Sequence, residues 1–174
     1  MLRPISARTG RRSPEAYPPF TRSRLHARYR RAVEIGRIAA IPLFANLSDE
    51  DLAFVAGIAG ELEIAPGENL AVEGDFGYAL FAVEEGAADV VRDDEKIGSG
   101  GPGDVIGEIA TLHSGRRTAS VVATAQMRVV TFLARDVWRI ERELPEVGAA
   151  LRASIDARLR PHEAEAAAPD AGAA

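Results

Sequence analysis

The chain has 174 residues, a formal net charge of −5 and 47% apolar residues, enough for one globular domain with flanking pieces and a sizeable core. It contains no cysteine, which excludes disulfides, thiolate metal sites and cysteine nucleophiles and fits a reducing cytoplasm. No run reaches the roughly 18 consecutive apolar residues of a membrane span, and no apolar h-region of an export signal accompanies Arg11-Arg12.

Charge is unevenly spread. Residues 1–40 hold ten arginines against Glu15 and Glu34, a net +8, which leaves −13 on the other 134 residues. A basic arm on an acidic body is expected, either contacting nucleic acid or an anionic membrane surface, or solvated against the body's own acidic face. Residues 1–23, with Pro4, Pro14, Pro18 and Pro19 among Ser, Thr and Arg, read as a disordered arm. Over 24–40, Leu25, Tyr29, Ala32, Val33, Gly36, Ala39 and Ala40 recur at helical spacing and predict an amphipathic helix ended by Pro42.

Ser48 predicts the N-cap of a second helix, with Asp51 three residues on, Leu47 and Leu52 as a hydrophobic staple and Gly60 as its stop. The signals then become β. Short apolar runs (ELEIA, LAVE, YALFAVE, ADVVR) are separated by turn residues such as Pro66-Gly67 and Asp93-Asp94, then KIGSGGPGDVI, TASVVA and MRVVTFL follow. Seven or eight short strands predict a mainly β architecture, an antiparallel β-roll of sandwich or jelly-roll type with helices on either side. Asp136–Leu144 reads as a helix, and Pro145 opens another with the stripe Leu144, Val147, Gly148, Leu151, Ile155 and Leu159. The tail 161–174 is low in complexity and is expected to be disordered.

The stretch GEIATLHSGRRTASV, residues 107–121, carries the chemistry. Glu108 opens a short helical turn, so the backbone N–H groups of Ile109 and Ala110 are expected at its anion-attracting end. Arg116 and Arg117 return to the same end of the sheet, and arginine favours planar, bidentate contact with phosphate. An acid beside such donors is odd for a bare phosphate but suits a sugar hydroxyl. The ligand implied carries both ribose and phosphate.

This stretch resembles the phosphate-binding cassette of cyclic nucleotide-binding domains, found in kinase regulatory subunits, cyclic nucleotide-gated channels and the bacterial catabolite activator family. The match runs without a gap through Gly107-Glu108-Ile109-Ala110 and Arg117-Thr118-Ala119-Ser120-Val121. IPLFANLSDEDL, Glu73-Gly74-Asp75 and GPGD at 101–104 resemble further family segments, so the likeness covers roughly 41–160. It implies that Glu108 accepts from the ribose 2′-hydroxyl, that Arg117 pairs with the cyclic phosphate beside the Ala110 backbone, and that Thr118 lies near the purine. cAMP is then the expected ligand, with cGMP kept open by the Thr118 hydroxyl. Arg116 stands where the family commonly has proline; it, Leu151 and Ile155 are further candidates, the last two as a purine lid, a place that a stacking Arg152 or Arg158 could equally take. Phe76 and Tyr78 read as local packing.

Other classes fare worse. His26, His113 and His162 are too scattered for a metal site, no phosphate-transfer loop is present, and no enzymatic activity is expected. About 15 residues follow Leu159, so a helix-turn-helix DNA-binding domain is not expected. The reading is a free-standing cytoplasmic sensor that binds a cyclic nucleotide and signals to a protein effector through its flanking helices. The alternative is a non-binding scaffold whose basic arm contacts nucleic acid, a membrane or a protein.

Overall fold

The computed structural model describes residues 30, 31 and 33–166. The basic arm over 1–23 lies outside the described residues. In chain order come β1 (Arg30–Arg31), α1 (Ile35–Ala39), a 3-10 turn (Pro42–Phe44), α2 (Asp49–Ile58), β2 (Gly60–Ile64), β3 (Asn69–Ala71), β4 (Ala79–Glu85) and β5 (Ala88–Arg92). Then follow β6 (Glu95–Gly100), β7 (Val105–Ile106), a π-helical turn (Ala110–Ser114), β8 (Ser120–Ala123), β9 (Met127–Leu133), α3 (Ala134–Glu143) and α4 (Pro145–Ala166). Two antiparallel sheets form the roll, ordered β1-β2-β9-β4-β7 and β3-β8-β5-β6. This is the mainly β architecture with flanking helices that the turn spacing predicts.

Strands β4 and β9 pair from Ala79↔Leu133 to Glu85↔Arg128 and carry apolar residues on both faces. One face gives Leu80, Ala82, Val130 and Phe132 to a cluster with the helices. The other gives Phe81, Val83, Met127 and Val129 to the roll interior. A period-2 strand buried on both sides reads as a continuous apolar run, which is how ALFAV and MRVVTFL look. In the helical cluster Phe44 meets Phe132 edge-on, with centroids 5.4 Å apart; α3 and α4 close it with Val137, Ile140, Leu144, Val147 and Leu151. No helix among the described residues is long and apolar enough to cross a membrane.

Ser48 caps α2 as expected: its hydroxyl accepts from the Asp51 N–H and donates to the Asp51 carboxylate. Leu52 is buried and Leu47 packs against the same cluster. Three expectations need correction. The helix expected over 24–40 is confined to Ile35–Ala39 among the described residues, because Arg30 and Arg31 form a strand against Glu61 and Gly60. Backbone pairing with the open edge of β2 outweighs the helical periodicity there. Gly60 does not cap α2; Ala59 turns extended (φ −73°, ψ 156°) and Gly60 opens β2. At the other end α4 runs to Ala166, so residues 161–166 are helical where a disordered tail was expected. Pro161 lacks the N–H for one intrahelical bond, yet the helix continues past it to Ala166.

Candidate functional site

The loop before β4 and the segment before β8 are zipped together by backbone bonds. Arg117 N–H donates to Asp75 O (2.8 Å), Gly74 N–H to Arg117 O (2.9 Å) and Gly77 N–H to Gly115 O (2.9 Å). This tie fixes where residue 117 leaves the backbone. Its side chain then runs inward: Nη2 donates to the Ala79 carbonyl at 2.7 Å, and the guanidinium lies 5.4 Å from the Phe81 ring centroid.

The space for that guanidinium comes from Gly107. Its φ of +96° suits glycine, and a Cβ there would collide with Arg117 Nη1 and lie 3.0 Å from the Ala79 carbonyl. A second glycine, Gly77, lets Ala110 approach so closely that a Cβ would sit 2.9 Å from the Ala110 carbonyl carbon. The cassette is therefore pressed against the start of β4 by two positions without side chains. Its first intrahelical bond is Thr111 N–H to Gly107 O, 3.1 Å, so the N–H groups of Glu108, Ile109 and Ala110 precede it.

Glu108 is 1% exposed and Arg117 8%. Burial pulls the Arg117 pKa down to about 10, against the opposing charges of Glu108 and Asp75. At neutral pH it remains a cation held in a desolvated place. Its Nη1 is buried and makes no hydrogen bond among the described residues.

Both residues line a cavity of about 570 Å³ between the roll and the last helix, within the range of small-molecule sites. Gly107, Ile109, Ala110 and Thr118 line it too, so the structure brings together the six ligand-binding candidates of the cassette. The other three lie elsewhere. Arg116 is directed outward: Nη1 donates to the Gly74 carbonyl at 2.7 Å and the guanidinium covers the Phe76 ring at 4.2 Å. That also accounts for Phe76 as local packing. Leu151 is buried in the helical cluster, and Ile155, also buried, does not line the cavity. Among the described side chains, the residue that α4 presents to it is Ala157. A 100° step per residue separates the inward stripe of α4 from the side that meets the cavity.

Sequence reasoning also missed Arg92 and Ile97, which line the cavity from β5 and β6. For Arg92 a signal existed. In the strand Ala88–Arg92, alternation places Ala88, Val90 and Arg92 on one face, and that face is the cavity's.

Residues 61–143 match the family model of the cyclic nucleotide-binding domain. The chain is 38% identical over 82 residues to a cAMP-dependent protein kinase regulatory subunit of Yarrowia lipolytica, covering 47% of this chain and 22% of the relative. It is 29% identical over 129 residues to the cyclic AMP receptor protein of Thermus thermophilus, covering 71% of this chain and 60% of the relative. The chain thus spans less than two thirds of the length of either. Among solved structures, the Thermus thermophilus catabolite activator protein superposes with a TM-score of 0.64 at 29% identity, over 71% of this chain and 61% of that one. A regulatory subunit of a cAMP-independent protein kinase A from Trypanosoma brucei gives 0.63 at 27%, over 69% and 43%. With the glycine-admitted arginine, the buried glutamate and the β-roll around them, residues 61–143 belong to the cyclic nucleotide-binding domain family.

Proposed function

We propose that this protein is a sensor that binds a cyclic nucleotide, cAMP or cGMP, in the cavity beneath α4 and passes its occupancy to a protein effector in the cytoplasm. The observation that carries this reading is the buried Arg117 guanidinium: one amino group is committed to Ala79, the other lacks a hydrogen-bond partner among the described residues, and the residue lines the cavity. A desolvated cation costs free energy unless an anion meets it. A cyclic phosphate supplies one negative charge shared by two exocyclic acceptor oxygens. Glu108 takes the ribose 2′-hydroxyl, the backbone of Gly107–Ala110 flanks the phosphate, and Thr118 stands beside the purine.

Signalling follows from position. Ala157 places α4 at the cavity, while Leu151 of the same helix is locked among α1, α2 and α3. A ligand that touches α4 in one arrangement and not in another shifts the helices by its difference in affinity for the two. The relatives, described as regulatory subunits and a receptor protein, support a regulatory rather than a catalytic role.

Calorimetric titration with cAMP and cGMP tests the reading. An arginine–phosphate bond contributes about 1.5–3 kcal/mol, so Arg117→Ala should weaken binding roughly ten- to a hundredfold. Arg117→Lys, which keeps a charge beside Glu108 but loses the fork, serves if the alanine variant does not fold. Absence of heat with both nucleotides in folded wild-type protein overturns the proposal.

A further inference from the structure

Residues 41–174 carry −13, yet one helix face runs against that charge. In α3, Val137, Ile140 and the C-cap Leu144 are buried in the helical cluster. The residues on the opposite side, at i, i+3, i+4 and i+7, are Arg135, Trp138, Arg139 and Arg142, and all four are exposed. The stripe holds three cations and an indole and no acid. Carboxylates stand at its flanks: Arg135 pairs with Asp136 at 3.6 Å and Arg142 with Glu143 at 3.0 Å. Each of these joins sequence neighbours through a widely exposed guanidinium, so it is weak and exchangeable for a better-placed acid. Arg139 lies over the Phe54 ring, 4.7 Å from its centroid.

The stripe continues onto the cassette. Trp138, 59% exposed, donates from Nε1 to the Thr111 carbonyl of the π-helical turn at 3.2 Å. The loop pressed against that turn through Gly77 carries Phe76 and Tyr78, which are also exposed and 6.1 Å apart. Arg116 covers Phe76, and the Ala134 N–H at the start of α3 donates to the Tyr78 carbonyl at 2.9 Å. Three of the five exposed large apolar side chains among the described residues therefore gather where the cassette meets α3, with arginines around them. Such a gathering marks an interaction site, and tryptophan, tyrosine and arginine are the residues on which protein interfaces most depend.

We propose that this face docks an acidic segment of a protein partner, with carboxylates at helical spacing against Arg135, Arg139 and Arg142 and an apolar side chain against Trp138. The assignment gives the effector of the sensor reading a surface; it rests on that reading for its purpose, though not for the contact. Charge decides the occupant. Nucleic acid and an anionic bilayer also attract arginine and aromatic rings, but both are extended polyanions that meet the surrounding acids of the body as well. A short acidic segment engages the stripe alone, about 10 Å long over residues 135–142. The place also links the contact to the cavity: Ala110 lines it, and the next residue, Thr111, holds the Trp138 indole.

Trp138 is the single tryptophan of the chain, so its emission reports from within the patch. The test titrates the full chain, without nucleotide, with a synthetic helical peptide of glutamates at three- and four-residue spacing among leucines. The same peptide with glutamine for glutamate, phosphatidylserine vesicles and oligo-dT are titrated beside it. The glutamate peptide is expected to shift the emission to the blue, saturably, and less tightly as salt is raised. Arg135→Glu/Arg142→Glu should weaken it roughly tenfold or more, because like charges then face each other. Circular dichroism checks the fold, and Arg135→Gln/Arg142→Gln, with a smaller loss in the same direction, serves if charge reversal disturbs the helix. No response, an equal response to the glutamine peptide, or a stronger one to vesicles or oligo-dT overturns the proposal. Calorimetry with cAMP and cGMP is run on the same protein. Nucleotide binding without peptide docking removes the surface and leaves the sensor; docking without nucleotide binding removes the sensor reading and leaves the surface.

Discussion

Arg37 and Arg117 are both arginines set against glutamates, yet the molecule uses them in opposite ways. Arg37, on α1, donates from Nε and Nη2 to the two carboxylate oxygens of Glu84 at 2.8 and 2.5 Å, and from Nη1 to Glu61 at 2.5 Å. Glu84 is shared with Arg128, which also reaches Glu85. Each charge there has its complement, and the Glu84 hydrogen bond holds the Arg37 pKa above the ordinary arginine value against the opposing effect of burial. Arg117 is more deeply buried, has one backbone acceptor for its fork, and is pulled down to about 10 by desolvation despite Glu108 and Asp75. A closed ion-pair hub ties α1 to the sheet. On the proposed reading, an incompletely answered cation in a cavity is stability given up for binding, the usual tension between a site and its fold.

The sharpest way to break this contrast is to empty the cavity of charge. In Glu108→Gln/Arg117→Met, nucleotide affinity should fall by more than about a hundredfold, two charge-assisted contacts being lost. Thermal unfolding should nevertheless show a midpoint no lower than the wild type, since replacing buried charges by neutral groups of similar size is often neutral or stabilising. A large fall in midpoint would mean that the pair holds the fold together.

The hub should answer the other way. Burial alone would raise the Glu84 carboxyl, but the bond and charge of Arg37, then of Arg128, hold it below its ordinary 4.5. A carboxylate with a depressed pKa contributes stability that is present above that value and is lost as pH falls through its folded pKa. Glu84→Gln should therefore cost about 1 kcal/mol near neutrality, the upper end for solvent-accessible pairs, and show a flatter loss of stability than wild type below about pH 4.5. Melts across pH 3–7 read both at once, and nucleotide affinity at neutral pH should not change.

Arg116 gives the smallest effect. Arg116→Ala removes a bond to Gly74 and the stack on Phe76, about 0.5–1 kcal/mol at an exposed site, and titration should find affinity within about threefold of wild type. A loss as large as that of Arg117→Ala would return Arg116 to the site.

How much of this was readable follows the range of the interactions. The cassette was legible because its chemistry is local: Gly107, Glu108 and Arg117 stand at fixed spacing in one short segment, and the glycine that admits the arginine is ten residues from it. The Ser48 cap and the strands from β2 to β9 were legible for the same reason, through turn residues and alternation. What failed was decided at a distance. The helical spacing of Leu25 to Ala40 could not reveal that Glu61 and Gly60 present an open strand edge to Arg30 and Arg31. Leu151 and Ile155 looked like a lid because large apolar residues draw attention, whereas the cavity is met by Ala157, a residue with almost no signal of its own. Arg92 lay in plain alternation, but only the closing of the roll gives its face something to look into.

The two-sided burial of β4 and β9 leaves no separate layer between the roll interior and the helices. These strands are a shared wall, with Phe81 and Val83 turned toward the roll and Leu80 and Ala82 toward the helices. Tightly packed interiors transmit displacement rather than absorb it. The Arg117 guanidinium rests over Phe81, one residue along the strand from Leu80 in the helical cluster. A shift of that arginine by a fraction of an ångström has little slack to vanish into. The wall is stiff, and only the thickness of a single strand separates the roll interior from the helical cluster.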